Sequence, residues 1–298
     1  MRLISDFLHL IFKVIYKFMF DLYDRKKFIN IDDYKIAYED IGNGETVIIF
    51  IHGFPTSTKT WYEVIDYLYK DYRCISLDLL GYGDSDKPVN ADYSIPAQAI
   101  LISKFIKELK LNKPVVLVGH SMGGGMCLTI AAEKLINISK LLIIDPACYP
   151  QKLPWFFLGL KIPIFPLLVL RKIPPKVAYH IVRNTAYDKA RMKSYEHMKN
   201  YIYNVQKAGA AEAFVKTANH INKGDINSLS EKYKDISIST QIIWGKNDRI
   251  IPLNFAYRLN KDILNSNLDV LEHCGHCPQE EYPEVVAKAI KKLLNKDA

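Results

Sequence analysis

A serine hydroxyl is a poor nucleophile at neutral pH and needs a base to take its proton as it attacks. Ser121 stands where such chemistry is practicable. In VVLVGHSMGGGM, residues 115 to 126, it lies between Gly119 and Gly123, behind an apolar run rich in valine. That spacing forces a sharp strand-to-helix turn, so crowded that the flanking positions must be small. A helix starting at the serine would aim its unpaired N–H groups at negative charge developing there. Gly124 and Gly125 let that helix lie close to a sheet.

Three further stretches supply partners. IFIHGFP, residues 49 to 55, ends an apolar run in His-Gly and permits a tight loop. The N–H of Phe54, with the N–H of Met122 after the serine, would form an oxyanion hole, usually the largest single catalytic effect. IIWGKNDRIIP, residues 242 to 252, delivers Asp248 into a loop, and EHCGHCPQEEYPE, residues 272 to 284, delivers His276 beside a glycine. The chain order Ser121, Asp248, His276 suits an acid and a base that arrive late on a parallel sheet. Asp145, which ends its own apolar run in LLIIDPA, is the alternative acid. His52 and His120 are read as structural neighbours of the site.

The elements needed to hold these residues follow from the hydrophobic pattern. FINIDDYKIAYED reads as two short strands around an Asp-Asp turn. TVIIFI (46–51), YRCISLD (72–78), PVVLVG (114–119) and KLLIID (140–145) read as buried strands, and TQIIWG (240–245) and LDVLE (268–272) continue the series. Helical stretches lie between them, including 96–110, where Ile100, Leu101, Phe105, Ile106 and Leu109 are expected to share a face. Others are expected near 254–262 and from Pro283 onward. Near-continuous apolar strands with helical crossovers imply an α/β fold, a mostly parallel sheet covered on both faces. After Pro146 the alternation breaks into proline, aromatic and aliphatic residues, and it resumes near residue 231. The expected organisation is a core of 28–146 and 231–298, with a helical cap of 147–230 inserted after the sixth strand. Prolines at 154, 163 and 166 exclude a spanning helix in the apolar part of that insertion.

With 298 residues, 49% of them apolar, the chain can bury one large core. Its net charge of +8 is spread out without a dense Lys/Arg block, which argues against nucleic acid and suits an anionic membrane surface. Five scattered cysteines suggest a reducing compartment rather than a disulfide framework. Cys274 and Cys277 form a lone C-x-x-C, too few ligands for a structural zinc site, so no metal or cofactor is expected.

In MRLISDFLHLIFKVIYKFMFDLYDRKKF, polar residues recur at steps of three or four and draw a narrow stripe along a helix. Its apolar runs fall short of the roughly 18 to 20 residues that span a bilayer. Residues 1–27 are therefore read as an interfacial amphipathic helix, 1–24 resting on the membrane and Arg25 to Lys27 closing it. Packing on the protein's own body, or on a second copy, is the other reading. The expected location is the cytoplasm, peripheral on the inner face of the membrane.

HGFPTS…W (52–61), DLLGYGDSDKP (78–88), GHSMGG (119–124), WGKNDRIIP (244–252) and GHCPQEEYPE (275–284) together resemble the α/β-hydrolase fold superfamily. The resemblance runs from about residue 28 to the end, with the insertion matching that superfamily's variable cap. It implies Ser121 as nucleophile, His276 as base and Asp248 as the orienting acid, with Phe54 and Met122 supplying the oxyanion-hole amides. The first two motifs are most similar to the haloalkane dehalogenase and epoxide hydrolase branch. That branch attacks with an aspartate, and its dehalogenases carry a halide-gripping tryptophan where this chain has Met122. A serine points instead to acyl chemistry.

The expected activity is hydrolysis of a carboxylic ester through an acyl-enzyme. Trp155, Phe156, Phe157, Phe165 and Leu167 to Leu170 of the cap would shelter an apolar or lipid acyl group, of monoacylglycerol or lysophospholipid type. The layout is similar to that of membrane-associated monoacylglycerol lipases. Two alternatives stay open: a carbon–carbon bond hydrolase of the same fold, and a catalytically silent member used for binding.

Overall fold

The computed structural model describes residues 26–151, 159–160, 170, 172–195, 198, 204–220 and 226–295. The amphipathic stretch 1–24 lies outside the described residues, as do Trp155, Phe156, Phe157, Phe165, Leu167 and Leu168 of the apolar stripe.

Eight strands form one sheet: β1 (Lys27–Ile31), β2 (Tyr34–Ile41), β3 (Val47–Ile51), β4 (Arg73–Leu77), β5 (Val115–His120), β6 (Ile138–Ile144), β7 (Ser239–Gly245) and β8 (Ser266–Leu271). Their spatial order is β1-β2-β4-β3-β5-β6-β7-β8, with the β1–β2 and β2–β4 pairs antiparallel and the others parallel. The described helices are α1 (Tyr62–Asp66), α2 (Ile95–Glu108), α3 (Met122–Ala132), α4 (Pro175–Ala186), α5 (Ala210–His220), α6 (Ile226–Glu231), α7 (Asn254–Asp262), α8 (Pro278–Glu281) and α9 (Pro283–Leu294). Helices α4 to α6 fall between β6 and β7.

The strand residues sort onto two faces with the period of two that a pleated sheet imposes. Ile49, Ile51, Leu117, Leu141, Ile143 and Ile242 pack on one side with residues of α2, α3 and α7. Ile48, Phe50, Val116, Val118, Leu142, Ile144 and Ile243 pack on the other with α1 and α9. Both faces are dry, and so the central strands read as unbroken apolar runs.

One expected helix face is corrected. On α2 the buried apolar residues are Ile95, Ala99, Ile102, Phe105 and Ile106, whereas Ile100 is 49% exposed. The stripe steps by three and four from Ile95, and Ile100 falls one position beyond it.

Because β3, β5, β6, β7 and β8 run parallel, their carboxyl ends gather along one edge of the sheet. That edge receives His52, Ser121, Asp145, Asp248 and His276. In doubly wound sheets ligands bind at this edge.

Candidate active site

Ser121 occupies the single residue between β5 and α3, with φ 53° and ψ −119°. A non-glycine residue there carries strain of about 1–3 kcal/mol and persists only if its surroundings fix it. They do. Its N–H donates to the Ile144 carbonyl (2.9 Å), and its own carbonyl accepts from Gly125 (3.0 Å) and Ala147 (2.9 Å). Gly123 leaves no room for bulk, since a Cβ there would lie 2.4 Å from the carbonyl oxygens of both Ile51 and His52.

The imidazole of His276 lies beside this hydroxyl. Its Nε2 is 2.9 Å from Ser121 Oγ, and its Nδ1 is 2.7 Å from Asp248 Oδ2. An ionised Asp248 can only accept, so Nδ1 carries the proton and Nε2 is left to accept from the serine. Asp248 Oδ1 accepts from the N–H groups of Ile250 (2.7 Å) and Ile251 (3.1 Å). Burial pushes this carboxyl up, but His276, the neighbouring Asp145 and the Ile250 amide outweigh that and hold it below the usual range. The structure thus brings all three residues of the expected set together.

Asp145 does not take the acid's place on the imidazole. It lies behind Asp248, its carboxyl accepting from Gly245 N–H (3.1 Å). Burial, then the neighbouring Asp248, push its carboxyl well above the usual range.

Met122 follows Ser121 directly, and Phe54 follows Gly53, whose backbone lies against the serine. Met122 is the first residue of α3, where N–H groups lack intrahelical acceptors. The loop carrying Phe54 abuts Ser121 so closely that a Cβ on Gly53 would come within 2.8 Å of Ser121 Cβ. The Phe54 ring meets Phe214 of α5 edge-on at 5.2 Å, and Phe214 stacks on Tyr82 at 5.3 Å. An aromatic wall contributed partly by the insertion therefore adjoins the loop of Gly53 and Phe54.

His52 and His120 are neutral struts. His52 donates from Nδ1 to the Gly53 carbonyl (2.8 Å) and accepts at Nε2 from Leu79 N–H (3.0 Å). His120 donates from Nε2 to the His276 carbonyl at 2.6 Å. Burial pulls their pKa values down, to about 4 for His52 and about 3 for His120. Cys274 and Cys277 are buried, and burial pushes both thiols up.

Several residues that hold the acid and base escape sequence reasoning. His276 N–H donates to the Ala186 carbonyl at the end of α4 (2.6 Å). Glu281 accepts from Gly275 N–H (3.0 Å), Cys277 N–H (3.2 Å) and Asp188 N–H (2.8 Å). Asn247 donates to Asp188 (2.7 Å), and Arg249 donates to the Asn184 carbonyl (2.8 Å). Residues 184–188 of the insertion are thereby laced to the loops that carry Asp248 and His276. The adjacent carboxylates of PQEE, both buried, are the one available signal.

A strained serine on a tight bend, an imidazole oriented by a buried acid and a parallel sheet beneath them define a class. A family model for the alpha/beta hydrolase fold matches residues 46–283, and the chain belongs to that family. Among its relatives is the uncharacterized hydrolase YugF of Bacillus subtilis, 30% identical over 89% of this chain and 96% of that protein. The human monoacylglycerol lipase ABHD6 is 28% identical over 90% of this chain and 81% of its own length. An alpha/beta hydrolase fold protein from Burkholderia ambifaria superposes with a TM-score of 0.78 at 26% identity, covering 89% of this chain and 96% of that one. Fold, site and relatives together identify a hydrolase. Among the described residues no helix is long and apolar enough to cross a membrane.

Proposed function

We propose that this hydrolase cleaves carboxylic esters through an acyl-enzyme, with an apolar or lipid acyl substrate of monoacylglycerol or lysophospholipid type. Ser121 Oγ attacks the ester carbonyl while its proton passes to His276 Nε2. The carbonyl electrons move onto oxygen, where the N–H groups of Phe54 and Met122 meet them; one such donor is typically worth about 3–4 kcal/mol. Collapse of the tetrahedral adduct breaks the bond to the alcohol, which leaves with the proton from His276. Water, deprotonated by the same imidazole, then releases the acid and restores Ser121. Asp248 stays ionised throughout and stabilises the imidazolium.

The observation that carries this reading is the unbroken line from Ser121 Oγ to His276 (2.9 Å) and on to Asp248 (2.7 Å). The apolar preference is supported by the wall of Phe54, Tyr82 and Phe214, and by the relatives named monoacylglycerol lipase. Residues 1–24 are proposed to rest on the membrane surface that would supply such a substrate.

A fluorophosphonate probe combined with p-nitrophenyl esters of increasing acyl length tests the proposal. Ser121 should be the labelled residue, and Ser121→Ala should lower kcat by about 10³-fold or more. Wild-type turnover in that variant would overturn the mechanism, and a preference for the shortest acyl chain would overturn the substrate class.

A further inference from the structure

The mechanism above uses one buried carboxyl, yet two lie at the acid's position. Asp145 is 0% exposed, and the side chain of Asp248 is equally buried. Asp145 holds φ 41°, a strained value outside glycine that turns the chain at the end of β6. Single donor or acceptor atoms of Asp145, Asp248 and His276 all lie within 4.8 Å of one another. Two fully buried carboxyls this close, with one imidazole beside them, do not both ionise, so one of the pair carries a proton.

The surrounding donors decide which. Asp248 already accepts from His276, Ile250 and Ile251, three hydrogen bonds that favour its anion. Among the described residues Asp145 accepts from one backbone amide, that of Gly245, and faces the further negative charge of Glu281 on α8. The thiols of Cys148, Cys274 and Cys277, which also feel Asp145, are buried and neutral. The proton therefore belongs to Asp145.

Resting on the acyl-enzyme reading, we propose that Asp145 is a positioning residue of this site: a neutral carboxylic acid whose O–H holds the Asp248 carboxylate in place and tempers its pull on His276. The charges then balance. One anion at Asp248 meets one imidazolium at His276 during each proton transfer. A second anion at Asp145 would overstabilise the imidazolium and leave a net negative charge buried without a partner.

The test compares pH profiles of kcat/KM for Asp145→Asn and Asp145→Leu in the full-length protein, with thermal melts confirming that both fold. Asn keeps a donor toward Asp248 and adds no charge, so its acidic limb should coincide with that of the wild type. Leu removes the donor, leaving Asp248 a stronger base, and the acidic limb should move up by about half a pH unit or more. A downward shift in Asp145→Asn would mean that a negative charge had been removed from Asp145, and would overturn the proposal. An unmoved limb in a folded Asp145→Leu would do the same by reducing the residue to a structural part. Ser121→Ala, measured alongside, separates the two readings: retained turnover there fails the serine mechanism itself, whatever the Asp145 variants do.

Discussion

The two halves of the site are built by different means. On the serine side, Ser121 is held by main-chain hydrogen bonds and by missing side chains at Gly53 and Gly123, and the neutral strut His52 braces the loop of Gly53. On the acid–base side, Asp248 and His276 sit in loops tied by buried carboxyl groups at 145 and 281 and by residues 184–188 of the insertion. The first half is steric and local. The second is polar and assembled from segments distant in sequence. A nucleophile has to be pinned, whereas an imidazole has to be aimed, and aiming is done with directional bonds.

The sharpest way to break the comparison is Gly53→Ala. Its Cβ would press within 2.8 Å of Ser121 Cβ and 3.0 Å of His120 Nδ1. A displacement of the nucleophile by a fraction of an ångström should cost about 10²-fold in kcat/KM with the fold retained. Steady-state kinetics beside a circular dichroism melt would check it, and near-normal activity would mean the steric half has slack.

Gly275→Ala addresses the polar half. Its Cβ would lie 2.5 Å from the Ala186 carbonyl oxygen and 2.7 Å from Asp188 N, forcing the insertion off the imidazole loop. The expected loss is smaller, about 10-fold in kcat/KM. Reactivity of Ser121 toward a small fluorophosphonate should fall in parallel, because aim rather than substrate binding is disturbed. Unchanged labelling would place the effect on binding instead.

Glu281→Gln keeps the shape but replaces a carboxylate that serves three amides with a neutral amide. Leaving one buried N–H facing a donor should cost about 1–3 kcal/mol, seen as a lower urea midpoint. No change would mean that the three amide bonds do not hold this half together.

The smallest effect at neutral pH belongs to His52→Gln. The folded protein binds a proton at His52 only near pH 4, whereas the unfolded chain binds one near the ordinary value of 6.5. Stability is therefore lost as pH falls from about 6.5 through about 4. Gln should flatten that acid slope in urea titrations without altering the midpoint at pH 8. An identical slope would show that the charge-free character of the first half contributes nothing.

The same contrast governs what the sequence could disclose. The strands, the bend at Ser121 and the loops bearing Asp248 and His276 are written in short windows, each with its own apolar run and turn residues. Ile100 is misplaced by the pattern because a one-position slip on a helix changes its face, and periodicity alone does not fix the phase. Asp145 resembles a competing acid in the sequence because both acids follow adjacent strands. Only the fold reveals that one stands behind the other. Ala186, Asp188 and Asn247 carry no local signal, since their roles exist only where the insertion meets the sheet edge.

The 2.6 Å bond from His276 N–H to Ala186 has a mechanical corollary. Any motion that lifts the end of α4 off the sheet edge must stretch this backbone tether, so the insertion cannot part from the core without loosening the imidazole.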